Sequence, residues 1–506
     1  MKHIIAYDLG TGGCKASLYD TKGTCLADSF ISCDTYYPQQ GWHEQQPNDW
    51  WQAVVQSTKN LLGNSDIDKQ SIVGIGISGH SLGLVPMSEN GELLRNSVPI
   101  WSDSRPGEEE IKPFFESISE EEWYMITGNG FPPQLYTVFK LMWLKNNEPE
   151  TFNKIHTVLG TKDYVNYKMT GVMSTDYSYA SGSGVFDLNN WSYSDQLIEA
   201  SGLPASIFPA PVASTEVLGS LTKEAAEELG LSENVQVVAG GVDNSCMALG
   251  ARCFKEGRVY NSLGSSAWIA VSSSQPLLHP ESRPYIFSHV VPGMFASATA
   301  IFSAGTSFRW LRDNVCQQLK ELEGDTWDHL TAMAQEAPAG SNKLLFNPSL
   351  AGGTLIDKSA NIRGAFAGID LRHTTKDMIR STMEGIAMGL RVALDELRAL
   401  TNIDNEMIVV GGGSKSDFWR QLYADIYNCK VVKTNIDQQA AALGAAALAA
   451  VGTGLWEDFS IIDEIHHVEQ EEYPRKDENK IYEKLLPVYK KLSDHLSEIG
   501  DLLTKV

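Results

Sequence analysis

The run Ile4-Ile-Ala-Tyr7-Asp8-Leu-Gly10-Thr11-Gly12-Gly13-Cys14-Lys15-Ala-Ser-Leu-Tyr19 decides the fold, because it joins two apolar stretches through a turn of glycines. The segments 4–7 and 14–19 read as strands, and a polar turn at 20–23 leads into a third strand over 25–31, so the chain begins as an antiparallel meander. Pro47 and Asp49 are start signals for a helix over 48–62, and an apolar strand follows over 72–78. Much later the same syntax returns as a strand over 258–263, the turn Gly264-Ser265-Ser266 and a strand over 268–272. Two further strands end in glycines: 235–238 before Gly240-Gly-Val-Asp243, and 407–410 before Gly411-Gly412-Gly413 and a helix. The pattern predicts an α/β protein made of two copies of a hairpin-led unit, with an insertion at about 106–211. Domains over 1–250 and 251–506, with a cleft between them, are the expected arrangement.

Size agrees, since 506 residues exceed what one hydrophobic core usually organises. Hydrophobic residues at 42% and charged residues at 20% match a folded globular chain rather than a disordered one. A formal charge of −23 repels phosphate backbones and anionic lipid, so neither nucleic acid nor a membrane surface is an expected partner. The first apolar run is cut short by Asp8, which does not resemble a secretion signal. The tract at 440–454 is too short and too rich in Ala and Gly to span a bilayer, and reads as a closely packed helix. Seven cysteines, with no Cys-x-x-Cys spacing, point to reduced thiols and a cytoplasmic protein. The acid-rich stretch 464–480 reads as a solvated, largely helical end.

Chemistry concentrates at the turns. Gly10, Gly12 and Gly13 let backbone amides approach an anion, with Thr11 adding a hydroxyl and Lys15 a positive charge; the same residues would also make an ordinary hairpin turn. Asp8 is placed to hold a magnesium ion, which prefers few carboxylates plus phosphate oxygens. Gly264, Ser265 and Ser266 repeat this amide and hydroxyl cluster. Asp243 either caps a helix or accepts the proton of an attacking hydroxyl. Gly411, Gly412 and Gly413 offer a surface free of side chains to a planar base or a phosphate. His80, Ser81, Trp101, Asp103, Arg105 and Asn244 combine the stacking, donor and acceptor groups that recognise hydroxyls. Gly74-Ile-Gly-Ile-Ser-Gly79 matches a dinucleotide pattern formally, but it falls inside an apolar strand rather than after one.

With these residues in hand, the chain resembles the FGGY carbohydrate kinases, most of all their xylulokinase branch. The resemblance runs through Asp8-Leu-Gly-Thr-Gly-Gly13, Gly41-Trp-His-Glu-Gln-Gln-Pro47, Trp101-Ser-Asp-Ser-Arg105, Thr137-x-x-Lys140-x-x-Trp143, Lys162-Asp-Tyr164, Gly240-Gly-Val-Asp-Asn244, Ser262-Leu-Gly-Ser265, Gly411-Gly-Gly413 and Ala442-Leu-Gly-Ala445. It implies an actin-like, ribonuclease H-like two-domain fold using ATP and Mg²⁺, with sugar held chiefly by the N-terminal domain. It also implies Asp243 as catalytic base and part of the metal site with Asp8, and Thr11 and Ser265 at the phosphates. Gly411 and Gly412 would meet the adenosine, while Trp101, Asp103 and Arg105 line or support the sugar site.

The departures are Gly79-His-Ser-Leu-Gly83, where xylulokinases carry Gly-Gln-Met-His-Gly, Pro348-Ser-Leu-Ala-Gly-Gly-Thr354 in place of Pro-x-Leu-x-Gly-Glu-Arg, and Gln439 at a commonly acidic position. Leu82 at the histidine position and His80 at the glutamine position lead us to expect a ketose or polyol other than, or besides, D-xylulose. Ribulose, erythritol and a hexulose are alternatives, and a non-catalytic, nucleotide-gated actin-like protein is a reading from another class. A homodimer stays open.

Overall fold

Strand His3–Gly10 turns at Thr11 and Gly12 and returns as Gly13–Asp20, in register from His3 against Asp20 to Gly10 against Gly13. Cys25–Ser32 completes the meander. The structure, a computed structural model, describes every residue except Met1, Asp66 and Phe131. It divides into two compact units. The first holds Met1–Lys255, Ser274–Ala296 and Gln439–His466, and the second Glu256–Ser273, Ser297–Gln438 and His467–Val506. Both are discontinuous in sequence, which a single division at 250/251 does not express.

In the first unit the sheet runs in the order Val217–Ser220, Gln236–Val238, Ile72–Gly79, His3–Gly10, Gly13–Asp20, Cys25–Ser32. Ile72–Gly79 lies parallel to His3–Gly10, and Gln236–Val238 parallel to Ile72–Gly79. Helix Pro47–Gly63, opened by its proline, buries Trp50, Trp51, Val54 and Leu61 and packs on the meander. The Ala/Gly tract forms helix Ala440–Gly452, which packs on Ile72–Gly79 and His3–Gly10. A Cβ on Gly76 would lie 2.1 Å from the Ala445 carbonyl oxygen, so this glycine admits a helix to the sheet. That contact accounts for part of the dinucleotide-like pattern. On its other side the helix packs against Asp243–Gly250, where a Cβ on Gly444 would lie 2.0 Å from the Cys246 oxygen. Small residues are the condition for three layers this close.

The second unit repeats the order. Phe295–Ile301, most of which belongs here, neighbours Ala267–Ser273, followed by Val259–Leu263, Glu406–Val410, Lys430–Thr434 and Val468–Glu472. Again the hairpin is antiparallel, the next two pairings are parallel and the last is antiparallel. Helix Thr375–Leu400 buries an almost continuous face here. One expectation is corrected: the stretch 464–480 is not largely helical, because Val468–Glu472 is an edge strand. Its acidic residues meet basic ones across the pair, with Lys430 Nζ 2.6 Å from Glu471 and Lys433 paired to Glu469. An edge strand open to solvent tolerates such charge. Helix Lys476–Leu503 follows.

Candidate active site

Asp8, near the end of the first strand, accepts a hydrogen bond from Ser78 Oγ at 3.0 Å, and Ser78 is its parallel-register neighbour. Its carboxyl is pushed above the ordinary range by burial, against the Ser78 bond and the positive charge of Lys15. Lys15 lies directly across the hairpin from Asp8 and reaches Asp28, 3.8 Å away. At the turn, Thr11 is held twice: its carbonyl accepts from Gln45 Nε2 at 2.7 Å, and its hydroxyl accepts from Trp101 Nε1 at 2.8 Å. Gly12 is exposed with open space where a side chain would be, whereas Gly13 is buried and presses on the Ile31 carbonyl. Gly10 and Gly12 are thus the turn's unobstructed positions.

Asp243 opens helix Asp243–Gly250 in the same unit, directly after Gly241–Val242, which pairs with Ser78–Gly79 in the central strand. The bend before it depends on Gly240, whose φ of +71° is left-handed and whose missing Cβ would collide with the Ile77 oxygen at 2.2 Å. Asp243 is half-buried, and Oδ1 accepts the Asn244 amide at 2.8 Å. Burial first, and the nearby Asp8 charge second, lift its carboxyl to about 7. A carboxyl whose proton affinity is raised by burial and by a neighbouring carboxylate, beside a glycine turn, suits both proton transfer and a cation.

The residues expected to recognise hydroxyls separate into two kinds. Trp101 is exposed at 42% and stands over the Thr11 turn. Asp103 and Arg105, by contrast, form a buried ion pair rather than a surface one. Arg105 donates Nε and Nη2 to Asp103, at 2.9 and 2.7 Å, and Nη2 also to Glu44 at 2.6 Å. The remaining Asp103 lone pairs take the His43 and Arg105 amides. Trp42 and Trp143 pack against the guanidinium, 4.1 and 5.0 Å away, which gives Gly41-Trp-His-Glu and the Lys140-x-x-Trp143 motif a shared structural task. Arg105 Nη1 is buried without a partner among the described residues.

His80 is buried directly after its strand, its ring edge-on to Trp50. Nδ1 lies 3.2 Å from Thr161 Oγ1, and Nε2 has no partner among the described residues. Burial, assisted by Lys140, lowers its pKa to about 4, so the ring is neutral at pH 7. The next turn is clamped by Lys140, whose Nζ donates to the Leu82 and Ile100 carbonyls at 2.9 and 2.8 Å. Leu82 has a φ of +59°, and its side chain packs into an apolar cluster with Leu84, Phe114 and Val138. Ser81 is partly exposed and Asn244 buried.

In the second unit, the exposed turn Gly264-Ser265-Ser266 holds the start of helix Gly305–Asn314. The Ser265 carbonyl accepts from the Ala304 and Thr306 amides, and the Gly264 carbonyl from Gly305. Of the three late glycines, Gly411 and Gly413 are fixed by the approach of Leu263, while Gly412 is exposed to open space. A short 3-10 turn, Gly412–Lys415, precedes helix Asp417–Tyr427.

Sequence reasoning passed over Asp176, Ser178 and Ser214, and quoted Glu44 only inside the motif that begins at Gly41. The spacing of Asp176 before Ser178 carried the signal of a helix cap, which it is, but its long-range bonds left no local trace.

Comparison with known proteins identifies the family. The N-terminal domain of the FGGY family of carbohydrate kinases matches residues 3–250 and its C-terminal domain residues 259–453. The chain is 31% identical over 507 residues to a xylulose kinase of Bacillus subtilis (strain 168), covering 99% of each chain. It superposes with a TM-score of 0.89 on a ligand-bound xylulose kinase from Lactobacillus acidophilus, at 27% identity and 97% and 98% coverage. A gluconate kinase from the same organism gives the same TM-score and identity, with 98% of each chain covered. The chain belongs to the FGGY family of carbohydrate kinases and is a sugar kinase.

Proposed function

We propose that the protein transfers the γ-phosphate of ATP to a hydroxyl of a ketopentose such as xylulose, or of a related ketose or polyol. The observation that carries the mechanism is Asp243, half-buried at a helix start with its proton affinity raised to about 7. A base tuned near the working pH takes a hydroxyl proton as the oxygen attacks phosphorus in line, a contribution of roughly 10²–10⁴-fold. The Gly10–Gly13 turn, with the remaining proton of the Thr11 hydroxyl, supplies donors to phosphate oxygens. In the second unit Gly264, Ser265 and Ser266 do the same, and the open face at Gly412 suits a nucleotide. Trp101 presents a ring and, with His80, Ser81 and Asn244, would meet the sugar, while Asp103 and Arg105 support the loop that carries Trp101.

Asp8 and Asp243 fit a magnesium ion: they are near enough for Asp8 to raise Asp243. No group of three or more acidic, His or Cys side chains among the described residues would hold a metal alone, which suits an ion that arrives with its phosphates. When bound, the ion would neutralise developing phosphate charge. Among the described residues all seven cysteines are free thiols, which supports a cytoplasmic setting, and no helix is long and apolar enough to cross a membrane. Leu82 presents no donor or acceptor from its apolar cluster, which favours an acceptor differing from D-xylulose or accepted beside it.

ADP release measured over ketopentoses, ketohexoses, polyols and gluconate tests the reading. One sugar class should dominate, and Asp243→Asn should lower its kcat by about 10²–10⁴-fold with the fold retained. Near-normal turnover of that variant removes Asp243 from the base role, and no acceptor-dependent ADP release removes the substrate reading.

A further inference from the structure

We propose that Asp176 is the positioning residue for Asp243, acting through two serines that hold the Gly240-Gly241 bend from either side; this rests on Asp243 being the base. Asp176 is fully buried in the first unit and begins helix Tyr177–Ala180. Its Oδ2 accepts Ser178 Oγ at 2.5 Å and Ser214 Oγ at 2.7 Å, and its Oδ1 lies 2.9 Å from Lys162 Nζ. Each serine then reaches the segment before Asp243. Ser178 Oγ accepts the Val242 amide at 2.9 Å, and the Ser214 carbonyl accepts the Gly240 amide at 3.0 Å.

The cation beside Asp176 grips the same segment. Lys162 Nζ donates to the Ala239 carbonyl at 3.1 Å, joined there by Asn166 Nδ2 at 2.8 Å, and it pairs with Asp163 at 2.5 Å. Backbone groups of Ala239, Gly240 and Val242 are therefore tied to one buried ionic cluster, directly before the residue that does the chemistry. Ser178 can serve both ends because its hydroxyl proton goes to Asp176, leaving its lone pairs for the Val242 amide. A carboxylate at 176 fixes that direction. Were Ser178 to rotate, the amide would lose its acceptor in a fully buried region, and Asp243 would follow the strand end.

The consequence concerns rate rather than affinity. Both serine hydroxyls are buried and donate to Asp176, so loosening the bend should misplace the base while nucleotide and sugar contacts remain. A displacement of about 1 Å costs on the order of 100-fold.

The experiment uses Ser178→Ala, Ser214→Ala and the double variant in the full-length enzyme, with Asp243→Asn in parallel. Steady-state kinetics use the best acceptor from the ADP-release panel, and amide hydrogen exchange follows the peptide spanning residues 239–246. We expect each single variant to lower kcat by about 10–100-fold with KM for ATP and sugar within about twofold. We expect exchange in that peptide at least ten times faster, and a double variant weaker than the product of the singles because both serines act through one carboxylate. The exchange result reads the positioning without requiring turnover. An unchanged exchange rate, or a kcat within twofold of wild type, in a single variant that retains a cooperative thermal transition overturns the proposal. So does a KM that rises in step with the fall in kcat. If one serine variant does not fold, the other decides by the same criteria. Wild-type turnover by Asp243→Asn would instead overturn the base assignment.

Discussion

Gly444→Ala adds one methyl group where the helix that begins at Asp243 rests. The new Cβ would lie 2.0 Å from the Cys246 oxygen and 2.7 Å from its carbonyl carbon, where ordinary contact begins near 3.4 Å. Cys246 sits inside helix Asp243–Gly250, so its carbonyl cannot turn aside without breaking the helix ladder. The two helices must part by more than an ångström. Overpacking of this kind costs about 3 kcal/mol, and the better helix propensity of alanine returns about 1 kcal/mol, leaving about 2 kcal/mol of destabilisation. At roughly 1.5 °C per kcal/mol for a folding unit of about 300 residues, Tm should fall by about 3 °C. Because Asp243 is the first residue of the displaced helix, kcat should fall on the order of 100-fold. Calorimetry and ADP release read the two effects. Gly63→Ala is the comparison: that exposed helical glycine has nothing within 4 Å of a new Cβ, so the same change should stabilise by about 0.5 kcal/mol and leave kcat alone. A Gly444→Ala enzyme with wild-type Tm and turnover would refute the close-approach argument.

Arg105→Ala leaves Asp103 without its cation in a buried site, with Glu44 still paired to Arg95 at 3.1 Å, and should cost about 3–5 kcal/mol in urea unfolding. Arg105→Lys should recover only part, because an ammonium cannot make the paired contacts to Asp103 or stack between Trp42 and Trp143. The buried His289 accepts the Val291 amide at Nδ1 and meets the Cys253 carbonyl at Nε2, and burial holds its pKa near 4. The unfolded state, titrating near 6.5, then binds the extra proton first, so stability is lost as pH falls from about 6.5 towards 4. The loss from this residue should reach about 2 kcal/mol by pH 5, and a Tm series from pH 7.5 to 5 should be flatter in His289→Gln.

The hairpins, their glycine turns and the repeated strand syntax were legible because each is a local pattern, a period of two broken by residues that tolerate tight backbone paths. Boundaries moved little: the strand expected over 72–78 is Ile72–Gly79, and the helix expected over 48–62 is Pro47–Gly63. The edge strand Val468–Glu472 was not legible, because its alternation of charge depends on lysines almost forty residues earlier. Nor was the return of Gln439–His466 to the first unit, since nothing local tells a small-residue helix which sheet it will cover.

The candidate site shows the same division more sharply. Asp8, Thr11, Trp101 and Asp243 were marked by residue type at a strand end or turn, and the structure gathers the Asp8–Asp243 and Thr11–Trp101 pairs within one unit. Asp103 and Arg105 were marked too, as residues that line or support the sugar site, but sequence cannot show that Arg105 is held by Glu44 and packed on Trp42 and Trp143. What stayed hidden is the support beneath the site, where Asp176 connects residues 162, 178 and 214 through side chains alone. A sequence displays which atoms can react, whereas the stiffness that makes them react together is written in contacts between distant positions. Chains named for xylulose and gluconate match this one equally well in backbone, so the fold alone does not choose the acceptor. On the proposed assignment of Asp243 as base, the pedestal sets the position of the carboxylate, and side chains near it, such as His80, would decide which hydroxyl it meets.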